Sequence, residues 1–578
     1  MSTAESPPNK VLIMAGGMTA LFLAALDQTI VATALPKIVA DLHGLSHLSW
    51  TFTAYMLSST IAVPVAGKLS DLIGRRMVYL FAAVFFIGAS ILAAMSQDMI
   101  QLIIFRGLQG IGGGALMVNS FSIIGDLFPP AERGRWQGLM GAMFGLSSIA
   151  GPLLGGWITD NFSWRWIFYV NVPVGVAAVS VILYAFPRHL KKDRKPSIDY
   201  MGAAALAVFM VPLMLALVWG GSEYPWGSST IMELLAAAVL GLGLFLWIES
   251  RAKEPVLPLD MFTNRTFLVS AGVTFLSSIG MFGTILYIPV FGQAVVGISA
   301  TNSGFVLTPM MLGMVVASTI SGQLVARTGR YRLLAFLGMV IATGGMVLFS
   351  QLTTETTALR LTLDMLVTGA GIGTTMPIFL VAVQNAFPHS KLGVVTASIP
   401  MFRSIGGTVG GALFGGLMNH RLADGLAQLS ADPVVQQIKT AAPPGTFTGL
   451  TANAIQGVLS PQGQLGLRGL VTKAPVAAQP QLASGIDHLL DGIKLVFTDA
   501  VAHLFIAAII ATAAAALLAL ALPYIPLRKS NRPAMQEAAM EIGAEIGNVD
   551  ARDEPDLTGS GPAEPGPSTA GQGARGRQ

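Results

Sequence analysis

The sequence predicts an all-α polytopic membrane protein, with fourteen transmembrane helices forming two six-helix bundles and a two-helix hairpin inserted between them. Three observations carry this. Hydrophobic residues make up 53% of the 578 and charged residues only 11%, too few to give a globule of that size a polar surface. Apolar stretches of about 20 residues, enough to cross a hydrocarbon layer of roughly 30 Å, recur along the chain. Motifs in the first six stretches return in the last six at a nearly constant spacing.

The stretches lie near 11–35, 49–68, 77–97, 99–126, 135–160, 166–187, 200–220, 229–249, 266–291, 302–326, 332–351, 358–387, 393–418 and 500–525. The first is too long for a cleavable leader and runs directly into further spans. An even number of crossings puts both ends on one side. With the N-terminus inside, the inner connections hold 21 Lys and Arg residues, and the short outer ones hold only Lys37, Arg165 and Arg360, the bias expected of a cytoplasmic face. The chain divides into an N-terminal segment 1–10, a first bundle 11–187, a linker 188–265 holding the seventh and eighth spans, a second bundle 266–525, and a tail 526–578. The second bundle includes an outer segment 419–499, where Leu482, Ile486, Leu489, Ile493 and Val496 recur at helical spacing and predict an amphipathic helix leading into the last span. The tail, rich in Pro, Gly, Ala and acids, predicts disorder.

The repeat rests on two motifs. Gly67-Lys68-Leu69-Ser70-Asp71-Leu72-Ile73-Gly74-Arg75-Arg76 is echoed 255 positions later by Gly322 through Gly329-Arg330, with Ala326 at the place of Asp71. Gly110-x-Gly112-x-Gly114, followed by Phe128-Pro129, is echoed 259 positions later by Gly369-x-Gly371-x-Gly373, followed by Phe387-Pro388. Two related six-helix halves with a central site at midplane depth make an architecture of secondary transporters.

Several chemistries are excluded. There are no cysteines, hence no disulfide, thiolate metal site or cysteine nucleophile. The seven histidines form no HxH or HExxH cluster. The glycines of 369–373 sit in an apolar span with no strand before them, and no GxxxxGK[ST] occurs, so neither sequence forms a nucleotide loop. The expectation is no cofactor, no metal, no nucleic-acid partner and no enzymatic activity.

The candidate site residues follow from polarity inside apolar helices. Asp27 lies mid-span, where an ionised carboxylate costs about 2.5 to 3.5 kcal/mol unless it faces a partner or a cavity. Arg106 falls at the same depth, about 10 to 12 Å below the outer surface. Asp27 then takes up a proton or binds a cationic substrate while Arg106 tunes it; the alternative is a fixed structural pair. Asp364, at similar depth, is a second proton site or an ordinary i,i+4 partner of Arg360. Arg403 lies about ten residues into the thirteenth span and would anchor a polar network of the second bundle. In the polar turn, Gly67 and Gly74 permit close approach or unusual dihedrals, and Asp71 pairs with Arg75 or caps a helix N-terminus. With Arg76 these form a candidate cytoplasmic gate, the alternative being a basic loop that only sets topology. In the fifth span Gly151-x-x-x-Gly155 and Pro152 read equally as hinge or as tight packing. The methionines are read as ordinary lipid-facing residues rather than cavity lining.

These residues resemble the major facilitator superfamily and, within it, the fourteen-helix drug:proton antiporter branch of multidrug efflux transporters. The turn resembles that family's loop between helices 2 and 3, with Leu72 where a basic residue is usual. Leu26-Asp27-Gln28-Thr29 through Leu35-Pro36 resembles the helix 1 signature, Arg106 with Gly110 the helix 4 motif of proton transfer, and Trp164-Arg165-Trp166 with Asn171-Val172-Pro173 a further signature. Gly138, Gly151, Pro152, Gly155 and Gly156 resemble the helix 5 antiporter motif. The resemblance implies a monomeric, multi-pass protein of the plasma membrane, a bacterial inner membrane, with both termini cytoplasmic. It implies proton-coupled export of amphipathic, cationic drugs or metabolites, with antibiotic resistance as a consequence. An exporter of a single metabolite or lipid and a proton-independent facilitator stay open.

The sidedness is directly testable because the chain has no cysteine background. In intact cells, Glu355→Cys in an outer connection should react with an impermeant maleimide, and Lys253→Cys in an inner one should react only after permeabilisation.

Overall fold

The computed structural model of the chain describes residues 10–42, 48–185, 198–221, 223–298, 306–436 and 479–527, with 466, 469 and 471 besides. The basic residues between 188 and 195, most of the outer segment and nearly all of the tail lie outside the described residues. Met1–Ser530 forms one unit; the second, Asn531–Gln578, lies outside the described residues.

Fourteen helices long and apolar enough to cross a membrane are present among the described residues. They are α1 (Lys10–Leu42), α2 (Leu48–Ile73), α3 (Arg75–Ala94), α4 (Met99–Leu127), α5 (Pro130–Asn161), α6 (Asn171–Ala185, preceded by a single turn Trp166–Tyr169) and α7 (Tyr200–Trp219). There follow α8 (Ser229–Glu249), α9 (Arg265–Ala294), α10 (Thr308–Thr328), α11 (Tyr331–Ser350), α12 (Ala358–Ala386), α13 (Leu392–Ser430) and α14 (Gln479–Leu520). Short polar side chains start several of them by accepting from first-turn amides: Asp98 for α4, Ser228 for α8, Asn264 for α9 and Thr357 for α12. Phe128-Pro129 and Phe387-Pro388 end α4 and α12, because the residue before a proline is driven into extended geometry.

The two bundles pair their helices alike. α1 packs on α5 as α9 packs on α13, α2 on α4 as α10 on α12, and α3 on α4 as α11 on α12. The glycine motifs explain the match. Gly110 and Gly114 of α4 lie against the backbone of α2 at Tyr55 and Ser59, and Gly112 against α3 at Phe86. In the second half Gly369 and Gly373 lie against α10 at Met310 and Met314, and Gly371 against α11 at Ala342. Alternate glycines therefore let one helix touch two neighbours at backbone distance, the small-residue packing that membranes favour. Between the bundles α5 faces α10 and α2 faces α13, while α7 and α8 pack on each other and α7 lies against α2 and α13.

The predicted amphipathic helix is present as the start of α14, and α13 continues past its expected end near 418. α13 has 39 residues and α14 has 42, so at 1.5 Å per residue each is roughly 60 Å long, about twice the hydrocarbon thickness. Their extensions pack as an antiparallel pair, with Gly425 against Val496, Gly492 against Leu429, and His488 against Asp432 at 3.3 Å. The predicted amphipathic face is buried there: Ile486, Leu489 and Ile493 join the core with Leu422 and Leu426. It covers a neighbouring helix. The Asp432 carboxyl, beyond the end of α13, is held below the usual carboxylate range by the Val434 amide and then by His488. A depressed folded-state pKa stabilises at neutral pH and loses that contribution as acid protonates the carboxylate.

The glycine contacts give a paired test. Gly373→Ala should lower stability by about 1 to 3 kcal/mol, since the added carbon overlaps the Met314 backbone. Gly344→Ala, where an added carbon meets nothing within 4 Å, should leave the detergent melting temperature unchanged.

Candidate functional site

At the predicted inner end, the turn between α2 and α3 meets the N-terminus of α13. Asp71 accepts from the amides of Gly393 (3.0 Å) and Val394 (3.1 Å) and also pairs with Arg75 at 2.6 Å. Both sequence alternatives for Asp71 are thus realised together, the carboxylate sitting where an N-terminus favours negative charge. Close approach is possible because Gly67 faces Gly393: a carbon added at Gly67 would lie 2.6 Å from Ala397 Cβ and 2.7 Å from Gly393 O. Gly74 has φ 95° and starts α3, a left-handed geometry that favours glycine. Arg76 points elsewhere, donating to the Leu183 carbonyl at 3.1 Å.

Leu72 supplies no charge, and the network is completed by residues the sequence reading missed. Arg75 donates to Asp126 of α4 at 2.8 Å, and His389 lies 3.3 Å from the same carboxylate. Arg133 of α5 donates to the carbonyls of Phe128, Gly125 and, across the bundle interface, Gln384. Gln137 donates to Gln384 at 3.1 Å, and Lys68 pairs with Glu254 at 2.6 Å. The second copy of the turn occupies the related place: Gly322 lies against Gly134 of α5. Ala326 stands where the carboxylate would be, so that contact is made by backbone alone.

Asp27 and Arg106 do meet, at 2.5 Å and fully buried. The other Asp27 oxygen accepts from Gln109 and Asn171, each at 2.8 Å. Arg106 also donates to Gln109 at 2.6 Å and lies over the Tyr55 ring at 4.3 Å. Ser90 completes the cluster by accepting from Gln109 at 2.7 Å. Such a carboxylate is charge-matched and hydrogen-bonded, which is what makes burial of ions tolerable. The Asn171 partnership has a sequence signal, since that residue belongs to the Asn171-Val172-Pro173 signature. Gln109 and Ser90 carry none.

A cavity of about 140 Å³ lies between the bundles. It is lined from α1, α2, α4 and α5 on one side and from α9, α10, α12 and α13 on the other. Six methionines face it, Met56, Met117, Met281, Met314, Met376 and Met401, with Phe121, Phe144 and Phe282. The expectation of merely lipid-facing methionines is therefore corrected at these positions: the helices turn them inward, where flexible thioethers adapt to varied shapes. Arg403 lines this cavity. The described residues give Arg403 no hydrogen-bond or ion-pair partner, so the anchored network expected around it is not seen. Asp27 and Arg106 are absent from the lining, as is every Asp and Glu among the described residues.

The remaining candidates are distributed. Asp364 is buried and 3.9 Å from Arg360, the ordinary i,i+4 arrangement, and faces neither the cavity nor Asp27's cluster. In α5, Gly151 and Gly155 lie against Thr29, Ile30 and Thr33 of α1, while Gly138 lies against Ser318 of α10. These glycines are packing surfaces of one continuous helix that runs through Pro152. Gly156 faces open space.

Residues 17–411 match the family model described as Major Facilitator Superfamily. The Multidrug transporter protein MdtP of Bacillus subtilis is 40% identical over 94% of this chain and 98% of its own length. Multidrug resistance protein 3 of the same organism is 40% identical over 72% of this chain and 80% of its own. Among solved structures, the human organic anion transporter MFSD10 (TM-score 0.54, 15% identity, 85% of this chain and 100% of that one) has the same fold. So does the proton:xylose symporter XylE (TM-score 0.52, 16% identity, 73% of this chain and 90% of that one).

Removing the Asp71 carboxylate should open the predicted inner end. Asp71→Ala costs that closure about 1.5 to 3 kcal/mol per charged hydrogen bond lost, seen as a shift to longer distances between spin labels on residues 72 and 391; an unchanged distribution would refute the contact.

Proposed function

Because the chain belongs to the major facilitator superfamily, we propose that it is a proton-coupled exporter of amphipathic, drug-like compounds that works by alternating access. The observation that carries the reading is a methionine- and phenylalanine-lined cavity between the bundles, below which contacts from both bundles close one end. At about 140 Å³ the cavity is smaller than the roughly 300 to 1,000 Å³ of drug-sized sites, so loading a cargo requires the bundles to part. Asp71, Arg133 and Gln384 are the groups whose partners would be exchanged when the closed end opens. The multidrug names of two relatives support the outward direction.

Proton coupling is assigned to Asp27. Its carboxylate ties α1 to α4 and α6 directly and to α3 through Gln109 and Ser90, so taking up a proton would release Arg106 and loosen several helices at once. This role needs no direct contact with cargo, in keeping with the enclosure of Asp27. Asp364 is retained as a second proton site on its burial and on Arg360, at 3.9 Å, being its one charged partner among the described residues. We place the protein in the bacterial plasma membrane with both termini cytoplasmic, acting as a monomer.

The test is transport by purified protein in proteoliposomes under an imposed pH gradient. Export with accompanying proton flux is expected, and Asp27→Asn should abolish gradient-driven accumulation while Asp27→Glu retains part of it. Full gradient-driven transport by Asp27→Asn would remove the coupling. Asp27→Asn also leaves Arg106 without its charge partner, and the melting temperature should fall by an amount equivalent to about 3 to 5 kcal/mol.

A further inference from the structure

We propose that Arg403 is the recognition point for an acidic group on the cargo, so that the cavity takes amphipathic anions, such as aromatic carboxylates or sulfonates, in preference to cations. The inference deepens the exporter reading and rests on it for the statement that the cavity holds cargo. Its own support is how this protein treats its other arginines.

Three arginines are buried in the helices, and each is matched by protein groups; Arg403 is half-buried. Arg75 has Asp71 and Asp126, Arg106 has Asp27 and Gln109, and Arg133 has three carbonyls. Arg403 is the exception among the described residues, and it is the one of the four that lines the cavity. It sits eleven residues beyond the start of α13 at Leu392, roughly 17 Å along the axis. That is near the middle of a hydrocarbon layer of about 30 Å, too deep for the side chain to reach the interface. A permanent cation held there and facing an apolar cavity has no counter-charge among the described residues. A structural anchor would have acceptors around it, as the other three have. An acidic cargo supplies what is missing, and a planar guanidinium binds carboxylate or sulfonate through paired donors.

The neighbours fit the same cargo. Gln137 also lines the cavity, and its buried Oε1 has no hydrogen-bond partner among the described residues, leaving an acceptor for a donor on the ligand. The methionines and phenylalanines take its apolar body. No Asp or Glu among the described lining residues competes for the guanidinium or attracts a cationic ligand.

The test compares two dyes that share a ring system and differ in charge: anilinonaphthalene sulfonate, an anion, and its uncharged parent phenylnaphthylamine, with ethidium as the cation. Equilibrium binding is measured on the full-length protein in nanodiscs, with empty nanodiscs subtracted. Wild type should bind the sulfonate at least about tenfold more tightly than the parent, the scale of one charge-assisted hydrogen bond. Arg403→Gln should remove that preference while changing binding of the parent by less than about twofold, and Arg403→Lys should restore part of it. Equal weakening of both dyes by Arg403→Gln, or a wild-type preference for ethidium, overturns the proposal. Because binding needs no gradient, it separates the two readings: failure of gradient-driven dye export with selective sulfonate binding intact sinks the exporter and spares the anion site, and the reverse outcome sinks only the site.

Discussion

An ion inside a hydrocarbon layer must find its counter-charge within the protein, and most of the polar architecture here follows from that constraint. Arg106 is affordable in the first bundle because Asp27, Gln109 and the Tyr55 ring surround it. The same demand ties the first bundle to the second at one end, where Asp71 is satisfied partly by Arg75 of its own bundle and partly by the amides of α13. A group satisfied across an interface makes that interface conditional on one relative position of the two halves. A group satisfied within a bundle makes the bundle rigid. The molecule uses the two kinds in different places, Asp27 inside one half and Asp71 between halves.

Glycine supplies the complementary device, since backbone contact between helices costs no side-chain desolvation. The pseudo-symmetric pairs Gly67 with Gly393 and Gly322 with Gly134 bring α2 to α13 and α10 to α5 at equivalent places. Only the first carries a carboxylate. The two halves are therefore alike in packing and unlike in charge, and the polar closure on the second side falls to Arg133 and Gln137 reaching Gln384. The inserted α7 and α8 add Glu254 just beyond them as a partner for Lys68, so the hairpin also contributes to the closed end.

Much of the fold was legible because a span is a local property: length and hydropathy place helix ends, and prolines after Phe128 and Phe387 stop α4 and α12. In the outer segment the helix before the last span shows in its apolar spacing, but the continuation of α13 to Ser430 does not, since polar and small residues beyond the hydrocarbon boundary look like loop until a partner helix shows which face they bury. α13 and α14 carry on for several turns because each gives the other a surface, as Gly425 does for Val496 and Gly492 for Leu429. Equal depth allows the contact of Asp27 with Arg106 that the helices make. It said nothing of Gln109 or Ser90, which are ordinary polar residues until the helices assemble. The methionines failed for the same reason, because a uniformly apolar helix has no face that periodicity can distinguish.

The sequence by itself determined that the chain crosses a membrane fourteen times, that its halves are repeats, and that a few charges lie too deep to be solvated. Each of these depends on composition or on spacing along the chain. Only the tertiary structure decided which charges meet and which is left facing the cavity. Asp71 and Gly393 are 322 positions apart and Asp27 and Arg106 are 79, so their pairing is set by helix rotation and bundle packing, which local sequence does not encode. Arg403 shows the difference most sharply: its depth is visible in the chain, and that no described residue pairs with it appears only once the neighbouring helices are in place.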